Sequence, residues 1–198
     1  MRDATAPLVL ATDDLRDFGL NASETAIVAA QPIDTSAGLG AVISGVLRQL
    51  SDGSARPTGA ERAQIGFIVR GLLSAVAYER VEADAARLDP HDALVVRAMQ
   101  VIYASLDDPL LTSRAVAARL GISVRTLQVA FGRAAQPVSE TIRSLRLERA
   151  RVDLMDQPDS TTAVCAAVGR RWGFHGTSHF VRAFERQYGV RPGAISGA

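Results

Sequence analysis

The chain is expected to be mainly α: a helical hairpin followed by two helix-turn-helix subdomains joined by a long linker helix. Helical spacing of apolar residues dominates from Ser36 onward. One local grammar also occurs twice in the last hundred residues, as SRAVAARLGISVRTLQVAFGRAA from Ser113 and TAVCAAVGRRWGFHGTSHFVRAFERQYG from Thr162. Each copy sets a small residue four positions before a glycine: Ala117 and Gly121, then Gly169 and Gly173. The small residue allows two helices to cross closely, and the glycine supplies the positive φ of a tight turn. Leu127 and Phe131 anchor the first copy, Phe180 and Phe184 the second. The second pair lies one residue further from its glycine, which predicts a turn one residue longer.

Composition fits a water-soluble domain of ordinary make-up, with 47% hydrophobic and 22% charged residues in 198. The net charge of +1 hides an asymmetry. Residues 1–90 hold 8 Arg and 12 acidic residues, net −4, and residues 91–198 hold 14 Arg and 9 acidic residues, net +5. The positive charge lies with the repeats, as phosphate neutralisation requires. All of it is arginine, a composition that a GC-rich genome also produces. Cys165 is the single cysteine, which excludes an internal disulfide and reads as a small core residue rather than a reactive thiol. Neither a metal cluster nor a cofactor motif is present, and no apolar run reaches a membrane span. A cytoplasmic location is expected.

Along the chain, residues 1–35 are the least regular and are expected to be a remnant of another domain or poorly ordered. Pro7 to Leu10 reads as a strand, Asp13 to Phe18 as a short helical turn, and Asn21 to Gln31 as a capped segment stopped by Pro32. Residues 36–88 form a helix pair. Leu39, Val42, Ile43, Val46, Leu47 and Leu50 line the first helix; Ile65, Ile68, Val69, Leu72, Leu73 and Val76 face inward on the second, over about residues 60–86. Two helices alone bury little surface. Leu39, Val42, Ile43, Val46, Leu47, Leu72 and Val76 are therefore candidates for a homodimer interface, with a small internal core as the alternative. Residues 92–198 form the C-terminal unit, entered by a helix that Asp92 caps and that runs to about Ser105.

Within that unit the first helix-turn-helix covers 112–135, the linker helix 138–156 and the second helix-turn-helix 162–189. Val116, Leu120, Ile122, Leu127 and Phe131 form the first seam, with Thr112 or Ser113 and Ser123 as caps. This leaves Arg125, Gln128 and Val129 on the outer face, where Arg suits guanine, Gln suits adenine and Val suits a thymine methyl. Thr126 and Arg133 read more simply as solvated. In the second unit Trp172, Phe174, Phe180 and Phe184 belong to the core, and His175, Thr177, Ser178, His179 and Arg182 are exposed. Arg182 is the strongest base-contact candidate. A linker of 19 residues spans roughly 28 Å, close to the roughly 34 Å between successive major grooves on one DNA face. Its arginines Arg143, Arg146, Arg149 and Arg151 are expected near the DNA backbone.

From about Leu94 to Ile195 the chain resembles the AraC/XylS transcriptional regulators, through ARLGISVRTLQVAF in the first unit and RRWGFHGTSHFVRAFERQYGVRP in the second. The resemblance implies two helix-turn-helix subdomains on a long helix, binding asymmetric double-stranded DNA sites and usually activating transcription. It puts base contacts on Arg125, Gln128, Val129, Ser178, His179 and Arg182. Backbone contacts are expected from Ser123, Arg133, Arg146 and Thr177. Three positions depart from the family pattern. Val129 stands where many members carry Arg, Gly169 replaces a small Ala, and Ile195 replaces an aromatic, which predicts a frayed last helix. The pair at 36–86 resembles dimerisation helices that follow a cupin-like sensor barrel in one branch of the family. Nearly all of that barrel is missing, so no small-molecule effector is expected for the chain as given.

These observations point to a sequence-specific regulator, an activator with RNA polymerase as a candidate partner. The alternative is a dimerisation or interaction fragment that modulates a full-length relative. An enzyme is not expected: Cys165 has no evident base, the three histidines form no triad, and no phosphate loop is present.

Overall fold

The computed structural model describes residues 20–51, 57–84, 87–133 and 137–195. Among the described residues the chain is helical without strands. The order is α1 (Ala22–Ala29), α2 (Gly38–Ser51), α3 (Gly59–Asp84), α4 (Pro90–Tyr103), α5 (Ser113–Arg119), α6 (Val124–Arg133), α7 (Val138–Met155), α8 (Thr162–Arg171), α9 (Thr177–Tyr188) and a 3₁₀ turn (Pro192–Ala194). The strand and turn expected within residues 7–18 lie outside the described residues.

Helix α1 begins in a capping box. The Asn21 side chain accepts from the Glu24 amide at 2.9 Å, and the Glu24 carboxylate accepts from the Asn21 amide at 3.2 Å. One side chain holds carbonyls at the C-terminus of α1 and in the segment after it: Arg80 of α3 donates to Ile27 and Val28, and to Gln31 and Pro32. The segment is thus structural, because α1 supplies Ile27 and Val28 to a core shared with α2, α3 and α4.

That core is internal to the chain. Ile43, Leu47 and Val76 are buried within the chain, Leu39, Val46 and Leu72 are half-buried, and Val42 is 51% exposed. Helices α1, α2 and α4 each pack on α3. Ile68, expected to face inward, is 46% exposed. The core also takes in a charge. Glu24 is buried with Oε1 lacking a hydrogen bond, and burial pushes its carboxyl above the ordinary value; Ser74, the Asn21 amide and Arg70 pull it the other way.

Helix α4 is a shared wall. Ala93 and Val96 face the N-terminal core, while Val95, Ala98, Met99 and Ile102 join the C-terminal one. Its cap is Asp89, which accepts from the His91 and Asp92 amides, with Pro90 in the first turn. Asp92, expected as the cap, instead accepts from the Ser23 hydroxyl at 2.6 Å. Helix α3 also packs on α7: Arg70 pairs with Glu148, and Arg149 donates to Gln64 at 2.6 Å while lying 4.7 Å from the Phe67 ring centre.

Candidate nucleic-acid interface

The two C-terminal units end their first helices with the same backbone device. After α5, Gly121 (φ 66°) donates to the Ala118 carbonyl and Ile122 to the Ala117 carbonyl, at 3.1 and 3.0 Å. After α8, Gly173 (φ 74°) donates to Arg170 and Phe174 to Gly169, at 3.0 and 2.9 Å. Both are Schellman closures, which satisfy the last helical carbonyls and require a residue at home with positive φ. Four residues separate α5 from α6, and five separate α8 from α9, so the second turn is the longer one.

Different side chains then set the second helix of each unit. In the first unit Val116, Ala117, Leu127, Ala130 and Phe131 are buried. The Ser123 hydroxyl accepts from the Thr126 amide at 3.0 Å and lies 2.7 Å from the Thr126 hydroxyl, capping α6. In the second unit Phe174, Phe180, Phe184 and Tyr188 form a ladder of rings 5.2, 5.6 and 4.7 Å apart. The Gly169 position is fixed by that ladder: a Cβ there would stand 2.9 Å from Phe180 Cγ. Helix α9 has no side-chain cap.

The base-contact candidates fall on open faces. Arg125, Gln128 and Val129 are exposed on α6, with Val129 at 47%, and Ser178, His179 and Arg182 are exposed on α9. His179 lies 6.1 Å from the Phe174 ring centre. Thr177 opens α9 and is half-buried. Arg133 closes α6, and its side chain lies outside what is described.

Arg146 does not fit the backbone-contact role expected of it. Its side chain is buried at 8% exposure, Nε donates to the Leu106 carbonyl at 3.3 Å, and Nη2 donates to the Asp108 carbonyl at 2.5 Å. Burial lowers its basicity and Asp108 counters that. The other linker arginines are half-buried and have partners of their own. Arg143 pairs with Glu140, Arg149 with Gln64, and Arg151 lies over the Tyr188 ring at 5.2 Å. A run of arginines spaced along a helix reads as a solvated face; the packing of α3 and α9 on α7 half-buries Arg149 and Arg151, while Arg143, paired along its own helix, keeps a third of its side chain exposed.

Trp172 packs as expected. It is 5% exposed, and its ring nitrogen donates to Asp153 at 2.8 Å. Cys165 is buried, and burial pushes its thiol up. Ile195, expected to fray, packs on the core and its carbonyl accepts from the Ser160 hydroxyl at 2.5 Å. Among the described residues no helix is long and apolar enough to cross a membrane, and no group of three His, Cys, Asp or Glu is placed to hold a metal ion.

A family model described as a helix-turn-helix domain matches residues 116–197. Over 97 residues the chain is 33% identical to "Regulatory protein HrpB" of Ralstonia nicotianae, covering 48% of this chain and 20% of that protein. Over 131 residues it is 31% identical to the "Probable thc operon regulatory protein" of Rhodococcus erythropolis, covering 63% of this chain and 37% of that one. Residues 116–197 are an AraC/XylS-type helix-turn-helix domain. The chain spans only about a fifth and about a third of the length of these two relatives. No solved structure matches it significantly. The AraC/XylS-type domain holds both Schellman turns and both outward-facing helices, so its geometry and its matches support a DNA-binding transcription regulator.

Proposed function

We propose that this chain is a sequence-specific transcription regulator that reads two successive major grooves with α6 and α9. The observation that carries the reading is the repeated closure at Gly121 and Gly173, each followed by a helix with its apolar face buried and a polar face open. Helix α7, 18 residues and so roughly 27 Å long, stands between the two readers. Arg125, Gln128 and Val129 are proposed to read one groove, and Ser178, His179 and Arg182 the next, with Ser123 and Thr177 at the phosphates. Activation through RNA polymerase is the direction implied by the family resemblance. A homodimer would seat on the apolar residues that the N-terminal unit leaves open, Val42 and Ile68.

Selection of bound duplexes from random DNA, followed by footprinting at about 150 mM salt, tests this. Two protected grooves with a motif in each are expected. Folded protein that enriches no motif overturns the reading and leaves an interaction fragment that modulates a longer relative.

A further inference from the structure

Each reading unit is a set of three helices: α4, α5 and α6 in the first, α7, α8 and α9 in the second. Direct packing between α5–α6 and α8–α9 is at most marginal, and the first unit meets α7 lightly through α6. From outside the two units, α3 braces α4 and α7. From within them, one buried side chain on α7 reaches both. The Arg146 guanidinium donates to the carbonyls of Leu106 and Asp108, in the loop that feeds α5. Its other edge lies against the turn of the second unit, where a Cβ on Gly173 would stand 2.9 Å from Arg146 Nη1 and 3.1 Å from Cζ. Beside it a cleft of about 360 Å³ runs between the units, lined by Leu111, Ser113, Ser139, Phe174 and His179 among others. The two units share one apolar core, but the seam stays open at this cleft, and a rigid planar cation is wedged across it.

We propose that Arg146 is a strut that sets the separation and tilt of α6 and α9, and so fixes the single half-site spacing that this chain accepts. The proposal rests on the two-groove reading and adds what determines its geometry. Arginine suits the position because its flat, always-charged fork donates in two directions at once, whereas a lysine offers one point charge on a flexible stem. Removing the fork leaves two carbonyls short of donors and opens the wedge.

The test uses the full chain as wild type, Arg146→Met and Arg146→Lys, with thermal melts to establish folding. Duplex libraries hold both half-sites at randomised separations. Wild type should enrich one spacing. Arg146→Met should accept at least two neighbouring spacings and bind the original one roughly tenfold more weakly, as for about 1.4 kcal/mol lost with two hydrogen bonds. Base preference within each half-site and the salt dependence should stay unchanged, and Arg146→Lys should recover part of the selectivity. Unaltered spacing and affinity in Arg146→Met overturn the strut. So does a salt slope lower by about one with spacing intact, which marks a phosphate contact.

A measurement without DNA separates this from failure of the reading itself. Spin labels at Ala118→Cys and Arg170→Cys, both exposed sites on α5 and α8, are placed with the buried Cys165 left as it is. The distance distribution should broaden in Arg146→Met; an unchanged width overturns the proposal whether or not any motif is enriched. If Arg146→Met fails to fold, Arg146→Lys carries both measurements, with a smaller broadening expected and no broadening overturning the strut.

Discussion

The two helix-turn-helix units share a backbone and differ in almost every side chain that builds it. In the first, Ala117 sits at the crossing and the buried anchors are Leu127 and Phe131. In the second, Gly169 sits at the crossing because the Phe180 ring occupies the space a Cβ would take. The first reader is capped by Ser123, and the second starts without a side-chain cap but leans on a ladder of aromatic rings. What is common is the closure on a positive-φ glycine. One geometry can be held by a cap and aliphatic packing or by rings and a missing Cβ.

The largest effect should come from the crossing points. Gly169→Val should destabilise the chain by about 1–3 kcal/mol through overpacking against Phe180, whereas Ala117→Gly should cost no more than about 1 kcal/mol of helix propensity. Denaturant melts of both variants check this, and equal losses would break the contrast. Next come the reading faces. Arg182→Ala should cost about 1–3 kcal/mol in DNA affinity and relax preference at one base. Val129→Arg should strengthen the first reader and raise the salt slope by about one. Titrations at several salt concentrations measure both, and a uniform loss in Arg182→Ala across all sequences would make it a phosphate contact.

A smaller change should follow Ser123→Ala, about 1 kcal/mol of stability from the lost cap on α6. Gly176→Ser, at the equivalent position of the second unit, should not gain that amount, because Gly176 has φ 94° and a serine there is strained. The smallest comes from outside both units. Burial raises the Glu24 carboxyl, so the folded chain binds that proton more tightly than the unfolded one. Stability from this group therefore rises as the pH falls from the raised value towards the ordinary carboxylate range. Glu24→Gln should stabilise the chain at pH above the raised value, with the advantage shrinking as the pH falls towards the ordinary carboxylate range and DNA affinity unchanged. Melting temperatures across that range, paired with binding titrations, show whether the N-terminal core is independent of the readers.

The elements that were legible in the sequence are those whose cause is local. Apolar periodicity located α2 to α9, the spacing of Gly121 and Gly173 located both turns, and the extra residue before Phe180 foretold the longer second turn. Such features depend on neighbours three or four residues away. The candidate reading faces were legible for the same reason, since each is the remainder of a helix once its apolar stripe is assigned.

The roles of Arg146, Arg149 and Glu24 were not legible, because each depends on a helix distant in the chain. Arg146 looks like a surface cation until Leu106, Asp108 and Gly173 are brought around it. Ile43 and Leu47 look like an open seam until they join one core with residues of α1, α3 and α4. The sequence alone determined which segments coil, where they turn and which residues each reading helix leaves outward. Tertiary structure decided which charges face water and which are buried between the two units, because burial and carbonyl partners are properties of assembled helices rather than of spacing along one.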